Sequence, residues 1–176
     1  MIDQNLYIRA ISDFREARRK AAMQEIMGVL TGKSNELLSY ETVRQQLRAL
    51  ESNKTELRDI PLNAIVGSVG RYSDFTRNFL PRRDSDQQRW AGVMSKATDL
   101  IGLPPIDVYQ VGETYFVLDG NHRVSVARQL NASSIQAFVT EVRTRVNLTP
   151  NTSPDELIIK VELTDFLEQT QLDKIQ

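Results

Sequence analysis

The sequence predicts an α+β fold: a small mixed β-sheet with flanking helices, an N-terminal helical hairpin ahead of it and a C-terminal helix behind. Three observations carry this. Apolar residues recur at helical spacing over the first 57 positions, short apolar runs bounded by Pro and Gly fill the middle, and a capping signature opens the last segment. The chain thus divides into an N-terminal helical segment (1–57), a central α+β domain (58–146) and a C-terminal helical extension (147–176). With 176 residues, 40% of them hydrophobic, it is long enough to bury a core.

Element by element, Leu6 to Leu30 lacks proline and spaces Ile8, Ile11, Ala22, Ile26 and Leu30 for a helix, which Gly28 and Gly32 loosen and end. A second helix runs from Tyr40 or Glu41 to about Glu51. Its Val43, Leu47 and Leu50 form one stripe, which must pack on something else. Ile60 to Val66 is a β-type run with its proline near the start, where a strand tolerates one. An arginine-bearing polar stretch follows (67–89), then a helix from about Ser85 to Leu100, and Pro104-Pro105 stop it. Ile106–Val111 and Thr114–Leu118 are separated only by Gly112-Glu113, which suits a type II′ hairpin. The second of these, apolar on both faces, reads as a central strand. Val124, Ala127 and Leu130 mark a helix face closed by Asn131 in a left-handed cap, and Ser134 to Val139 alternates as a last strand. Ser153-Pro154-Asp155-Glu156 opens the final helix with a capping box.

Composition narrows the chemistry. Zero cysteines exclude disulfides, thiolate catalysis and sulfur-ligated zinc, and one histidine excludes a multi-His metal centre. The net charge is −1, from 22 basic and 23 acidic residues, which does not suggest a DNA-coating protein. Neither a leader-type apolar segment nor a membrane-length apolar run is visible, so a cytoplasmic location without membrane association is expected. Gly32-Lys33-Ser34 imitates the end of a P-loop, but Met27 stands where that loop needs glycine and no strand precedes it.

The informative unit is strand–Asp119-Gly120-Asn121-His122-Arg123–helix. A helix that starts straight after a glycine leaves its first amides unpaired, and the macrodipole adds partial positive charge at the same point. Such a turn receives anions. Gly120 allows close backbone approach, Asn121 can cap or bind, and His122 and Arg123 add donors. The alternative is an ordinary capped helix with solvated polar residues. Arg71, Arg77, Arg82, Arg83 and Arg89, with Tyr72 and Phe75 as stacking surfaces, read either as a phosphate-grasping loop or as a solvated loop over the core. Trp90 reads as core, and the basic cluster Arg15, Arg18, Arg19 and Lys20 as a solvated helix face.

Pro105-Ile106-Asp107-Val108, the hairpin, and Phe116-Val117-Leu118-Asp119-Gly120-Asn121-His122-Arg123 resemble the ParB/sulfiredoxin superfamily, with its PIxV strand and G-x-[HR]-R turn. Ile60-Pro61-Leu62-Asn63-Ala64-Ile65 is similar to its opening strand, and Ile101-Gly102-Leu103 before Pro104 to its glycine segment. The resemblance spans about residues 58–142. It implies a ParB/sulfiredoxin-type sheet and a nucleotide- or phosphate-binding turn, which places Gly120, His122 and Arg123 in the motif. Asp119, Asn121, Gly102 and Arg71 are the further binding candidates. Asn121 stands where sulfiredoxin carries its catalytic cysteine, so sulfinic acid reduction is excluded. No helix-turn-helix follows, which argues against a ParB-like DNA clamp.

The expected function is therefore a ParB-like protein that binds a nucleotide or other phosphorylated small molecule in a regulatory role. A nucleoside triphosphate with Mg²⁺ is the cofactor this implies. A phosphotransferase or nucleotide hydrolase is the alternative, with no catalytic residue assigned, and whether the chain is an enzyme stays open. Association with nucleic acid is a further, less favoured reading.

Overall fold

The computed structural model describes residues 4–98 and 102–170. Its elements follow in chain order: α1 (Gln4–Thr31), β1 (Leu38–Ser39), α2 (Tyr40–Gln46), β2 (Leu50–Pro61), β3 (Ile65–Ser68), α3 (Gln87–Ala97), β4 (Ile106–Val111), β5 (Thr114–Asp119), α4 (Asn121–Gln129), β6 (Ser134–Arg143) and α5 (Pro154–Thr170). Single turns of 3₁₀ helix precede β3 and α3. The six strands make one mixed sheet in the order β1-β3-β5-β4-β6-β2. β1/β3, β3/β5 and β4/β6 are parallel, whereas β4/β5 and β2/β6 are antiparallel. The expected helix end at Leu100 and Ile101 of the glycine segment lie outside the described residues, as do 171–176 of the C-terminal extension.

Alternation along the strands sorts the core into two faces. Ile65, Ile106, Val108 and Val117 pack with Val124 and Ala127 of α4, while Val66, Tyr109, Val111 and Phe116 pack with Val43 and Leu47 of α2 and Leu157 of α5. A third cluster lies outside α4: Ala10, Phe14, Trp90, Ala91, Met94 and Val126 join α1 to α3 and α3 to α4. Trp90 is core, as its size and apolar neighbours predict, and its indole donates to Ser125 Oγ at 2.8 Å.

The N-terminal hairpin does not form. α1 lies on α3 through Ala10 and Phe14, with Ala17 and Ala21 also buried, and α2 sits on the opposite face of the sheet. α2 is also shorter than its apolar stripe suggests. Leu50 belongs to β2 and is 72% exposed, so residues 50–57 are strand rather than helix. Arg48 explains the break: at φ 46° it turns the chain out of the helix. The run 60–66 is likewise two pieces, the end of β2 and the start of β3, parted by the 3₁₀ turn. β6 continues past Val139 to Arg143 because β2 runs antiparallel beside it. Leu130, expected on the core face of α4, is about half exposed.

Other local expectations hold. Gly112 takes φ 60° and Glu113 is not among the positive-φ residues, which matches a II′ turn between paired Val111 and Thr114. β5 is central, Asn131 adopts φ 56° behind α4, and Ser153 and Glu156 exchange hydrogen bonds with each other's amides at 3.2 and 3.1 Å.

Candidate functional site

β5 delivers Asp119 and Gly120 to the start of α4. Gly120 has φ 114°, and a Cβ there would stand 2.5 Å from Ile106 Cγ2, so both backbone and packing demand glycine. Its carbonyl accepts from Val124 N at 3.0 Å, which starts the helix, and no side chain caps it. The amides of Asn121, His122 and Arg123 therefore have no intrahelical acceptor.

These amides face a cleft of about 180 Å³ lined by Arg71, Arg89, Val93, Leu118, Asp119, Gly120, Asn121, His122 and Arg123. Six of the seven sequence candidates thus meet in one place. Gly102 does not line it. It sits at φ 70° in the segment before β4, and Arg123 fastens that segment by donating to the carbonyls of Pro104, at 3.2 Å, and Pro105. Arg123 also pairs with Asp119. Its guanidinium is therefore committed to the protein on three sides, where the sequence suggests a free phosphate donor.

The cation left open is Arg89, which is exposed and makes no ion pair or hydrogen bond among the described residues. Trp90, locked next to it, fixes the helical turn that carries it to the cleft. Arg71 contributes from the other side while bound to Asp74 at 2.9 Å, with Asp86 at 3.9 Å. The other arginines of the 67–89 stretch are elsewhere. Arg77 holds the carbonyls of Val66, Pro150 and Thr152, Arg82 pairs with Glu25, and Arg83 with Asp74. The stacking role is not available to Phe75, which is fully buried, and Tyr72 lines a groove beside α2.

Asn121 and His122 are each only 5% exposed. The imidazole meets Phe75 edge-on, its Nε2 lies 3.8 Å from Asp86 Oδ1, and both ring nitrogens lack partners, as do Asn121 Oδ1 and Asp86 Oδ2. The side chain of His122 thus does not point away from the core as its polarity suggests. Burial pushes its pKa down to about 4 against the pull of Asp86, and Arg89 and Arg71 push the same way. It is neutral near pH 7, with burial as the main cause. Groups of this kind cost about 1–3 kcal/mol each where nothing pairs with them. No group of three or more His, Asp or Glu converges as a metal site among the described residues, so Mg²⁺ at this cleft would rest chiefly on a ligand's phosphates.

Reasoning from sequence missed Asp86 and underweighted Arg89. Their signal was Asp86-Gln87-Gln88-Arg89 at a helix start, but only the α3–α4 packing brings it to His122.

No family model and no curated protein matches the chain. Among solved structures, sulfiredoxin from Arabidopsis thaliana is similar at 26% identity and a TM-score of 0.37, over 48% of this chain and 83% of that one. Among the described residues, no helix is long and apolar enough to cross a membrane.

Proposed function

We propose that this chain binds a phosphorylated small molecule, a nucleotide being the favoured class, with a phosphate group at the start of α4. One observation carries the reading: three uncapped amides open on a cleft whose walls bear the free guanidinium of Arg89 and the half-committed one of Arg71. Backbone amides and guanidinium forks are the donors that suit phosphate oxygens, and the cleft's small volume suits a phosphate group rather than a whole nucleotide. The nucleoside would then extend over its mouth. Thermal shift with ATP, ADP, CTP, GTP and inorganic phosphate, each with and without Mg²⁺, tests this. A ligand at a hundred times its dissociation constant stabilises by about 2.7 kcal/mol, and no shift with any of them removes the reading.

A second reading, phosphoryl transfer or hydrolysis, is favoured by Asp86 alone. Its Oδ1 lies 3.8 Å from His122 Nε2 and 3.9 Å from Arg71, so a small shift on ligand binding would bring it within hydrogen-bond reach of the imidazole and let it orient a general base. Phosphate release from whichever nucleotide binds, lost in Asp86→Asn with binding kept, separates it from simple binding.

A further inference from the structure

His122 is the one histidine of the chain, and it stands where the charges around the cleft converge. It lies on the first turn of α4 and lines the cleft, yet it is only 5% exposed. Four charged groups act on the ring from three other elements. Asp86, in the turn before α3, and Asp74, in the stretch after β3, favour the imidazolium, whereas Arg89 of α3 and Arg71 of that same stretch oppose it. The two carboxylates are not equally engaged. Asp74 is held by Arg71 and by Arg83, each at 2.9 Å, which cancels much of its field. Asp86 keeps Oδ2 without a protein partner and Oδ1 3.8 Å from His122 Nε2. On the ring's own side, Arg123 is paired with Asp119. Neither ring nitrogen is hydrogen-bonded to the protein, so no donor or acceptor of the fold fixes the protonation state.

Two separable causes keep the ring neutral. Burial is the larger, and it belongs to the fold. The other is the pair of guanidinium groups, and both Arg71 and Arg89 line the cleft that an anion would enter. A dianion seated between them replaces repulsion at the ring with attraction, in a place where burial keeps such charges from being screened. On the phosphate reading of this cleft, we propose that the anion does not enter alone: its binding at the start of α4 takes up a proton from solvent, and His122 receives it. The proton adds to the free lone pair of the ring, no bond of the ligand breaks, and the proton returns to solvent when the anion leaves. An imidazolium carries an N–H on both nitrogens, and Asp86 stands nearest to accept the one at Nε2. The effect is reciprocal. The anion raises the ring's affinity for a proton by the same factor by which the proton raises affinity for the anion. The coupling grows with the charge on the ligand, so a terminal phosphate gains more from it than a phosphodiester does.

The sole imidazole makes the test direct, because its ring signals in a proton–carbon correlation spectrum have no histidine neighbours to be confused with. Sulfate is the probe, since it stays dianionic over the range used and brings no proton of its own. The full chain is titrated from about pH 4 to 8 with and without sulfate, and the backbone amides of Asn121, His122 and Arg123 are followed in the same samples. Sulfate should shift these amides and move the ring's titration midpoint upward, with affinity about tenfold higher at pH 5 than at pH 7. His122→Gln should flatten that pH dependence. In Arg89→Ala the ring of the sulfate-free protein should already titrate at higher pH than in wild type, because one opposing cation is gone. Amides that shift while the midpoint stays fixed overturn the coupling and leave the phosphate reading standing. Amides and ring that both ignore sulfate overturn that reading, and the coupling with it. An unchanged midpoint in Arg89→Ala overturns the coupling whatever sulfate does, because the ring then does not sense the charge in the cleft.

Discussion

At the start of α5, Ser153 and Glu156 satisfy each other's backbone amides, and Pro154 has no amide to satisfy, so the helix opens with most of its first donors used. At the start of α4, Gly120 offers no side chain, and the donors of Asn121 to Arg123 are left to whatever enters the cleft. Both helices obey the same electrostatics. The difference is what the proposed site asks of a helix terminus: a glycine replaces the cap, and cations stand beside it. The closed start is held by its own cap, whereas the open one, where the proposed ligand would bind, must be held in place by other means.

Those other means are steric at Gly120, so substitution there should have the largest effect on the open start. Gly120→Ala forces a side chain into φ 114° and into Ile106. Strain and overpacking together should cost about 3 kcal/mol or more, a fall in melting temperature of roughly 6–12 °C for a chain of this length. A melting temperature unchanged in Gly120→Ala would mean that the turn relaxes freely and is not preorganised.

The buried imidazole gives the next effect, and it is pH-dependent. In the folded chain His122 titrates near 4 instead of 6.5, so between these values the unfolded chain binds a proton that the folded one does not. Stability therefore rises with pH through this window and falls as pH drops from 6.5 toward 4, with a ceiling of about 3 kcal/mol. Asp86, Asp74, Arg71 and Arg89 face the ring and modulate the slope. Urea melts of wild type and His122→Gln from pH 4 to 7 should show a flatter dependence in the variant. Equal slopes would place the ring in water.

Arg123 and Arg89 divide the two duties of the open start between them. Arg123→Ala removes an ion pair with Asp119 and the fastening of Pro104 and Pro105, and should lower the stability of ligand-free protein by about 1–2 kcal/mol. Arg89→Ala removes a side chain that binds nothing in the protein. It should leave the melting temperature within about 1 °C and weaken phosphate-ligand affinity by one to two decades, the worth of a charge-assisted donor. Isothermal titration beside melting curves reads both. If Arg123→Ala costs only affinity and Arg89→Ala only stability, the roles are reversed.

This division was half legible in the sequence. The strand–Gly–helix unit, the II′ hairpin, the capping box and the left-handed Asn131 are local signals set by a few neighbouring residues, and each is found where the pattern puts it. Leu50 was not legible, because a strand that pairs with β6 some 80 positions away borrowed a residue in phase with a helical stripe. For the same reason the motif located the turn but not its partners. Nothing near Arg123 in sequence announces that Pro104 and Pro105 will occupy it. Nor does the 67–89 stretch reveal that Arg77 will turn inward to three carbonyls while Arg89 stays free.

The smallest effect belongs to the closed start, and it is the control for the rest. Ser153→Ala removes the acceptor for the Glu156 amide and half of the reciprocal pair. Loss of such a cap typically costs about 1 kcal/mol, which here should lower the melting temperature by roughly 2–4 °C. α5 packs on the sheet through Leu157, on the face opposite α4, so the perturbation has no route to the cleft through shared contacts. Affinity for the phosphate ligand should therefore stay within about twofold of wild type. Were Ser153→Ala to weaken binding as much as Arg89→Ala does, the two helix starts would be coupled through the sheet, and the separation of stability from binding on which the comparison rests would fail.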